Sequence, residues 1–227
     1  MAGSYRRLLP EDRRAELLVL GSEVFGSRPY DEVRLDEIAA QAGISRALMY
    51  HYFRDKKAFF AAVMFAEGQR LFDLVNAMSA EVKEVSIDGG RSLFEWLRDA
   101  ILVYLRHDEA HPHSAWVSYV EWGRSESFLR ATEDIDFRRS VDMVMTVLDR
   151  ITNSAMTTDS RGAVQATVSS WMGLAVESCN QRVIDPSLDA ALLADTCADM
   201  LLDALGRLPG LPADFVNAIT QRSKTDV

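Results

Sequence analysis

The stretch from Leu35 to Lys57 constrains the fold more than any other part of the chain. Gly43 lies between two short segments whose apolar residues recur at helical spacing. Glycine ends helices readily because it adopts the left-handed conformation without steric cost. Ser45 follows, and its hydroxyl can cap a second helix by accepting a hydrogen bond from a first-turn N–H group. The stretch therefore predicts two short helices joined by a tight turn.

The second predicted helix has two unlike faces. Met49 and Phe53 form an apolar face, while Arg46, Ala47 and Tyr50 share the other side. A short helix with this outer face fits the major groove of DNA, where arginine pairs with guanine and a small apolar group contacts a thymine methyl. We therefore predict a helix-turn-helix that reads base edges.

Charge is distributed unevenly along the chain, whose net charge is −9. Residues 1–60 contain ten Lys or Arg and nine Asp or Glu, so the acidic excess lies in the remainder. Such a division is expected for a DNA-binding segment attached to a body that avoids DNA.

The remaining sequence shows helical periodicity throughout and no sustained alternation typical of strands. Gly21 falls inside the first predicted helix, where close approach of another helix would explain it. A polar connector is predicted at His107–His113, and a cap for a later helix at 158–160. The chain is therefore predicted to be all-α. Its other helices are expected at 11–25, about 55–80, 92–106, 114–122, 128–156, 158–183, 188–205 and 213–221.

Composition and motifs exclude several classes of protein. No apolar run approaches the roughly 18–20 residues that a membrane span needs, and the first residues lack the apolar core of a secretory signal. Cys179 and Cys197 are too few for a disulfide framework and fit a reducing cytoplasm. We find no catalytic serine or cysteine motif, no phosphate-binding glycine loop and no HExxH run. We therefore expect a cytoplasmic protein that is not an enzyme and needs no cofactor.

A histidine-rich segment leaves one alternative open. His107, His111 and His113 are close in sequence, and the spacing of the first two would place them on one helix face. Pro112 interrupts such a helix, so a solvated connector is the favoured interpretation. The competing hypothesis is an all-helical, metal-dependent enzyme that uses these histidines.

The helix-turn-helix resembles the TetR family of bacterial transcriptional regulators. The resemblance lies within Arg14–Val63 and implies a three-helix DNA-binding domain at residues 1–57. It also implies a larger helical ligand-binding and dimerisation domain at residues 58–227. Such proteins usually bind a palindromic operator on double-stranded DNA as homodimers and repress until a small ligand releases them. The residues that carry the resemblance, in the family's order and spacing, are Ile38-Ala39, Ala42-Gly43-Ile44-Ser45, Tyr50, Tyr52-Phe53 and Lys56.

Eight residues are candidate DNA contacts by this resemblance: Arg34, Ser45, Arg46, Ala47, Tyr50, His51, Tyr52 and Lys56. Arg46, Ala47 and Tyr50 would face base edges. The tyrosine hydroxyls, the lysine ammonium and the N–H groups at the start of the second helix would hold phosphates, and the histidine could contact either. Arg34 stands where the family often has a capping Ser or Thr, so it leaves that helix without a side-chain cap but could reach a phosphate.

The C-terminal domain is rich in aromatic and methionine side chains, which suit a pocket for a small, mostly apolar ligand. Its acidic character favours a neutral or cationic ligand over a polyanion. Two further hypotheses within the family stay open, a TetR-like activator and a DNA binder that needs no ligand. The candidate pocket residues are Trp96, Tyr104, Trp116, Tyr119, Trp122, Phe137, Met143, Trp171 and Asn180.

Overall fold

The regular structure of the described residues is helical. The computed structural model describes residues 9–80, 82, 92–117, 127–152 and 156–222. Within these ranges it contains ten α-helices, a 3-10 helix at Tyr30–Glu32 and no strand, so the predicted all-α class is confirmed. The α-helices are α1 Pro10–Ser27, α2 Leu35–Gln41, α3 Arg46–Tyr52, α4 Lys56–Ser79, α5 Leu93–Ala110, α6 Pro112–Trp116, α7 Ser127–Ile151, α8 Thr158–Ile184, α9 Ala190–Gly206 and α10 Ala213–Arg222.

The helices group into two compact units. The head unit comprises Met1–Gly68 and Ala110–Arg130, and the body unit comprises Gln69–Glu109 and Ala131–Val227. Helix α6 belongs to the head unit, although it follows a body helix in sequence, because it packs against α1. Each described helix is too short or too polar to cross a lipid bilayer.

The head unit is built around one aromatic-rich core. In this core the ring of Phe25 meets the ring of Phe60 edge-on, with ring centroids 4.9 Å apart. Burying a large apolar side chain stabilises a fold by about 1.5–3 kcal/mol, so this core fixes the position of α3. The most buried side chains come from four helices and include Leu17, Phe25, Ile38, Met49, Phe59, Phe60 and Val63.

Gly21 marks a close approach of α1 and α4, as its place inside a helix predicts. A Cβ atom at this position would lie 2.6 Å from both the Phe59 ring and a methyl group of Val63. Interiors are packed as densely as organic crystals, so no space remains for a larger residue.

Replacing Gly21 by Ala is expected to destabilise the chain by up to about 2 kcal/mol. Overpacking costs roughly 1–3 kcal/mol, and the higher helix propensity of alanine offsets about 1 kcal/mol of that cost. Urea denaturation followed by circular dichroism measures this change. The matched control is Gly162→Ala in α8, where the added Cβ meets no atom within 4 Å and should stabilise the helix. A more stable Gly21→Ala variant would contradict the close packing.

Side-chain caps and one glycine define the tight turn between α2 and α3 and the start of α4. Gly43 has a φ of 64°, and the Ser45 hydroxyl accepts a hydrogen bond from Leu48 N–H at 3.2 Å. Asp55 Oδ1 accepts one from Ala58 N–H at 2.7 Å, and this bond is the main cause of the lowered pKa of the Asp55 carboxyl. The predicted turn and the predicted Ser45 cap are confirmed.

The body unit encloses a second apolar core in which α8 and α9 pack together. Trp171 Nε1 donates a hydrogen bond to the carbonyl of Cys197 at 2.6 Å and ties the two helices. Cys179 and Cys197 are buried free thiols, and burial raises the pKa of both. Their reactive thiolate forms are therefore suppressed. The most buried side chains of this core include Trp96, Leu97, Leu105, Leu148, Leu201 and Leu205.

The prediction of a polar connector is wrong for residues 107–110, which are helical. Helix α5 continues through His107 to Ala110, and the break falls at His111. Pro112 sets this point, because proline disfavours the helical conformation of the residue before it and is itself tolerated at a helix start.

Further boundaries differ from the prediction, and α7, for example, ends at Ile151 instead of 156. The cap of α8 is Thr157, whose hydroxyl accepts a hydrogen bond from Ser160 N–H at 3.2 Å, one residue before the predicted position. The helix predicted at 114–122 begins at Pro112 because of the break just described. Its part beyond residue 117, with Tyr119 and Trp122, lies outside the described residues.

Candidate nucleic-acid interface

Helix α3 presents a polar surface on a buried base. Met49 is fully buried, and Phe53, just after the helix, also lies in the head core. Arg46, Ala47 and Tyr50 are exposed. The helix thus has the two unlike faces that its sequence predicts, and its outer face is open to solvent.

The guanidinium of Arg46 is oriented by two neighbours in the head unit. Its Nε lies 3.2 Å from Asp36 Oδ1, and its Cζ lies 5.4 Å from the centroid of the Tyr50 ring. The side chain nevertheless exposes 70% of its area. Asp36 and the Tyr50 ring therefore orient the guanidinium, which remains accessible to a hydrogen-bond acceptor on DNA.

Lys56 is engaged within the head unit. Its Nζ donates to the carbonyls of Tyr30 and Asp31 at 2.9 and 3.3 Å and lies 4.3 Å from the centroid of the Tyr30 ring. Burial, with the charge of Asp55, raises the pKa of Tyr30 to about 12. An ammonium group has three donors, so the two carbonyls leave one N–H for the phosphate contact that the sequence predicts.

The other DNA candidates each offer a single group. Tyr52 is half-buried against the head core, so its hydroxyl is the group that it offers to a phosphate. His51 is exposed, and the centroid of its ring lies 5.9 Å from that of the Tyr52 ring. Arg34 is exposed and does not cap α2, as its chemistry predicts. The hydroxyl of Ser45 already serves as a cap, so only its backbone N–H is open to a phosphate.

Sequence reasoning missed the acidic partners of this surface. Asp36 lies against Arg46, and Glu37 pairs with Arg28 at 3.1 Å. Both acids lie in the first turn of α2, where the helix dipole alone accounts for them. Only the packing of α2 on α3 brings Asp36 to Arg46, and no local spacing rule links the two.

The three histidines are divided between the two units. His107 belongs to the body unit, where its Nδ1 lies 3.4 Å from Arg70 Nη2. His111 and His113 belong to the head unit, and His111 packs against Gly26 near the end of α1. Among the described residues, no group of three or more His, Cys, Asp or Glu side chains could hold a metal ion.

The candidate ligand residues are divided between the units. Trp116 is exposed on α6 of the head unit. In the body unit, the Trp171 indole is already hydrogen-bonded to a carbonyl, and Asn180 Nδ2 donates to Glu177 at 3.2 Å. The other described candidates in the body unit are Trp96, Tyr104, Phe137 and Met143.

A polar cluster in the body unit is absent from the sequence-based prediction. Gln69 Nε2 donates to Asp136 Oδ1 at 3.1 Å, and Gln69 Oε1 accepts from Arg139. The Arg139 guanidinium lies 4.1 Å from the centroid of the Phe72 ring. Burial raises the pKa of the Asp136 carboxyl. Burial, with the charge of Asp136, raises the pKa of Tyr104 to about 12. The cluster therefore links α4 to α7 through polar side chains that are partly buried.

A surface depression of about 470 Å³ lies between α5, the end of α8 and the start of α9. Two of its arginines are paired, Arg98 with Asp195 at 2.7 Å and Arg182 with Glu109. None of the described ligand candidates lines it, so it is distinct from the apolar pocket that the sequence predicts.

Helices α2 and α3, packed with α1 and α4 around one core, form a helix-turn-helix domain in which α3 has an exposed outer face. Residues 17–63 match the family model described as bacterial regulatory proteins, tetR family. The resemblance found in the sequence is thereby confirmed, and residues 17–63 are similar to the DNA-binding segment of TetR-family transcriptional regulators.

Two curated relatives match part of the chain. The HTH-type transcriptional activator FasR of Mycolicibacterium smegmatis is 44% identical over 66 residues, which are 28% of this chain and 30% of FasR. An uncharacterized HTH-type transcriptional regulator of Mycobacterium tuberculosis is 36% identical over 80 residues, which are 34% of this chain and 30% of that protein. The chain thus spans about 30% of the length of the curated relatives it matches.

Two solved structures share the fold over most of the chain. A tetR-family transcriptional regulator from Streptomyces coelicolor has a TM-score of 0.69 at 20% identity, over 94% of this chain and 89% of that one. The transcriptional regulator FadR from Bacillus subtilis, in complex with stearoyl-CoA, has a TM-score of 0.60 at 15% identity, over 87% and 99%. These likenesses concern the fold, and they confirm a helix-turn-helix domain followed by a larger helical domain.

Proposed function

We propose that this chain is a ligand-responsive repressor that binds a palindromic operator as a homodimer in the cytoplasm. The observation that carries the proposal is the exposed face of α3. There the side chain of Arg46 is accessible to solvent, while the opposite face of the helix packs in the head core. A rigid helix with an outward arginine suits readout of guanine in the major groove. A small, mostly apolar effector, bound by the body unit, would release the operator.

Exposed apolar side chains on α8 and α9 support the homodimer. Leu174 and Ile184 on α8, and Leu192 and Met200 on α9, are large, apolar and exposed. A Cβ atom at Gly173 would meet nothing within 4 Å, so another helix could approach closely there. These five residues define the α8–α9 face. Apolar surface of this kind is typical of an interaction site, and a second copy of this chain is the proposed occupant.

Groups inside the body unit support a lipophilic effector that carries a polar group. Trp96 is 1% exposed, and its Nε1 has no hydrogen-bond partner among the described residues. Buried indole N–H groups usually find a partner, and a bound ligand could supply one. The structural relative FadR is in complex with stearoyl-CoA, which favours a lipophilic effector here as well.

A transcriptional activator is the second candidate function. FasR, one of the curated relatives, is named an activator. Both functions require the same DNA-binding head and differ in the sign of their effect on transcription. A reporter gene placed behind the selected operator distinguishes them, since its expression should fall with a repressor and rise with an activator.

Selection from a pool of random duplexes by the purified full chain tests the proposal. We expect an enriched palindrome whose binding weakens steeply with salt, because phosphate contacts release counterions. A chain that enriches no sequence would contradict DNA readout. In a thermal-shift screen of lipophilic compounds, the effector should raise the unfolding midpoint and release the selected duplex. If stabilising compounds leave the complex intact, the ligand response is contradicted.

A further inference from the structure

Asp36 is an acid in a surface proposed to meet DNA. It lies in the first turn of α2, and its Oδ1 atom is buried with Arg46 Nε 3.2 Å away. The approach is an ion pair rather than an aligned hydrogen bond. An acid beside DNA phosphates is electrostatically unfavourable. The neighbouring acid, Glu37, is directed to a different partner, Arg28.

The ion pair leaves the base-reading edge of the arginine available. A guanidinium has five N–H donors, and Asp36 approaches the one at Nε. The centroid of the Tyr50 ring lies 5.4 Å from the guanidinium carbon of Arg46. Four donors on the two terminal nitrogens remain, and an arginine uses two such donors to pair with O6 and N7 of guanine.

We propose that Asp36 is a positioning residue for DNA specificity, which holds Arg46 toward base edges and away from phosphates. The proposal rests on the DNA-binding function proposed above. Two kinds of anion compete for this arginine, the Asp36 carboxylate and the phosphates of the DNA backbone. Phosphate contacts carry no sequence information. Asp36 therefore lowers affinity for random DNA and raises discrimination between sequences.

The Asp36→Asn variant separates this role from a purely structural one. It keeps the size of the side chain and removes its charge. Discrimination at the base pair read by Arg46 should fall by at least about fivefold, the lower end of what a bidentate arginine contributes. Affinity for random duplex should rise. A merely structural role would lower both affinities together and lower the unfolding midpoint.

Glu37→Gln is the matched control, because it removes one negative charge from the same turn of α2 and affects Arg28 instead. It should leave discrimination unchanged. The base pair in question is the one at which Arg46→Ala loses discrimination. At that base pair, the double variant Asp36→Asn/Arg46→Ala should behave as Arg46→Ala alone, because the two side chains act as one unit.

Fluorescence anisotropy of the full chain, with the selected duplex, its single-base variants and a random duplex, measures these effects. Unchanged discrimination in Asp36→Asn, or an equal loss in Glu37→Gln, would overturn the inference. A wild-type chain that selects no duplex would instead contradict the proposed function itself. The two failures are therefore distinguishable.

Discussion

Replacing Arg46 by Ala is expected to remove most of the discrimination between the operator and random DNA. A bidentate arginine–guanine contact contributes about 1–3 kcal/mol, and a palindrome presents the contact twice, so specific binding should weaken by roughly 2–6 kcal/mol. The side chain is mostly exposed, so the fold should keep its stability. Fluorescence anisotropy with both duplexes gives the two affinities, and thermal unfolding checks the fold.

The control for this variant is Arg54→Ala. Arg54 is exposed and lies after α3, so the substitution removes the same charge from outside this helix. This substitution should leave the ratio of operator affinity to random-DNA affinity unchanged, because a contact from outside α3 would be to phosphate, and phosphate contacts carry no sequence information. An equal loss on both duplexes in Arg46→Ala would assign that arginine to a phosphate and contradict base reading.

The double variant Leu192→Glu/Met200→Glu is expected to convert the proposed dimer into monomers. Both side chains are exposed in the single chain, Leu192 to 65%, so the fold of each chain should change in stability by no more than about 0.5 kcal/mol. Unpaired charges in the α8–α9 face would oppose its burial. Affinity for the palindrome should fall by about 10²–10⁴-fold, because the second head no longer binds intramolecularly. Light scattering and anisotropy measure the two effects.

Val19→Glu is the matched control, since Val19 is 62% exposed on α1 and outside the α8–α9 face. It should leave the dimer intact. A double variant that stays dimeric would place the interface elsewhere. A monomeric variant that binds the palindrome as tightly as the wild type would contradict the need for a dimer.

The turn and caps of the head were predictable because their causes are local. Gly43, Ser45 and Asp55 each act on backbone within a few residues, and their roles depend on backbone geometry that any helix end shares. The same holds for Gly21, whose cost in a helix signals a close neighbour. The neighbour itself, the Phe59 ring, is known only from the fold.

The partners of the site residues were not predictable because they belong to other elements. The resemblance assigns Lys56 to a phosphate, yet its ammonium donates to the Tyr30 and Asp31 carbonyls within the chain. Lys56→Ala should therefore weaken all DNA about equally, as expected of a phosphate contact, and should also loosen the 3-10 helix. The pairing of Asp36 with Arg46 likewise depends on how α2 packs on α3.

The two buried thiols allow the opening of α8 and α9 to be followed chemically. Cys179 lies in α8 and Cys197 in α9, so an alkylating reagent reaches them only when the packing of these helices is disrupted. The rate of alkylation under native conditions therefore reports the free energy of that opening. A compound that binds the closed body unit should slow the alkylation, which provides a way to find the effector without knowing the operator.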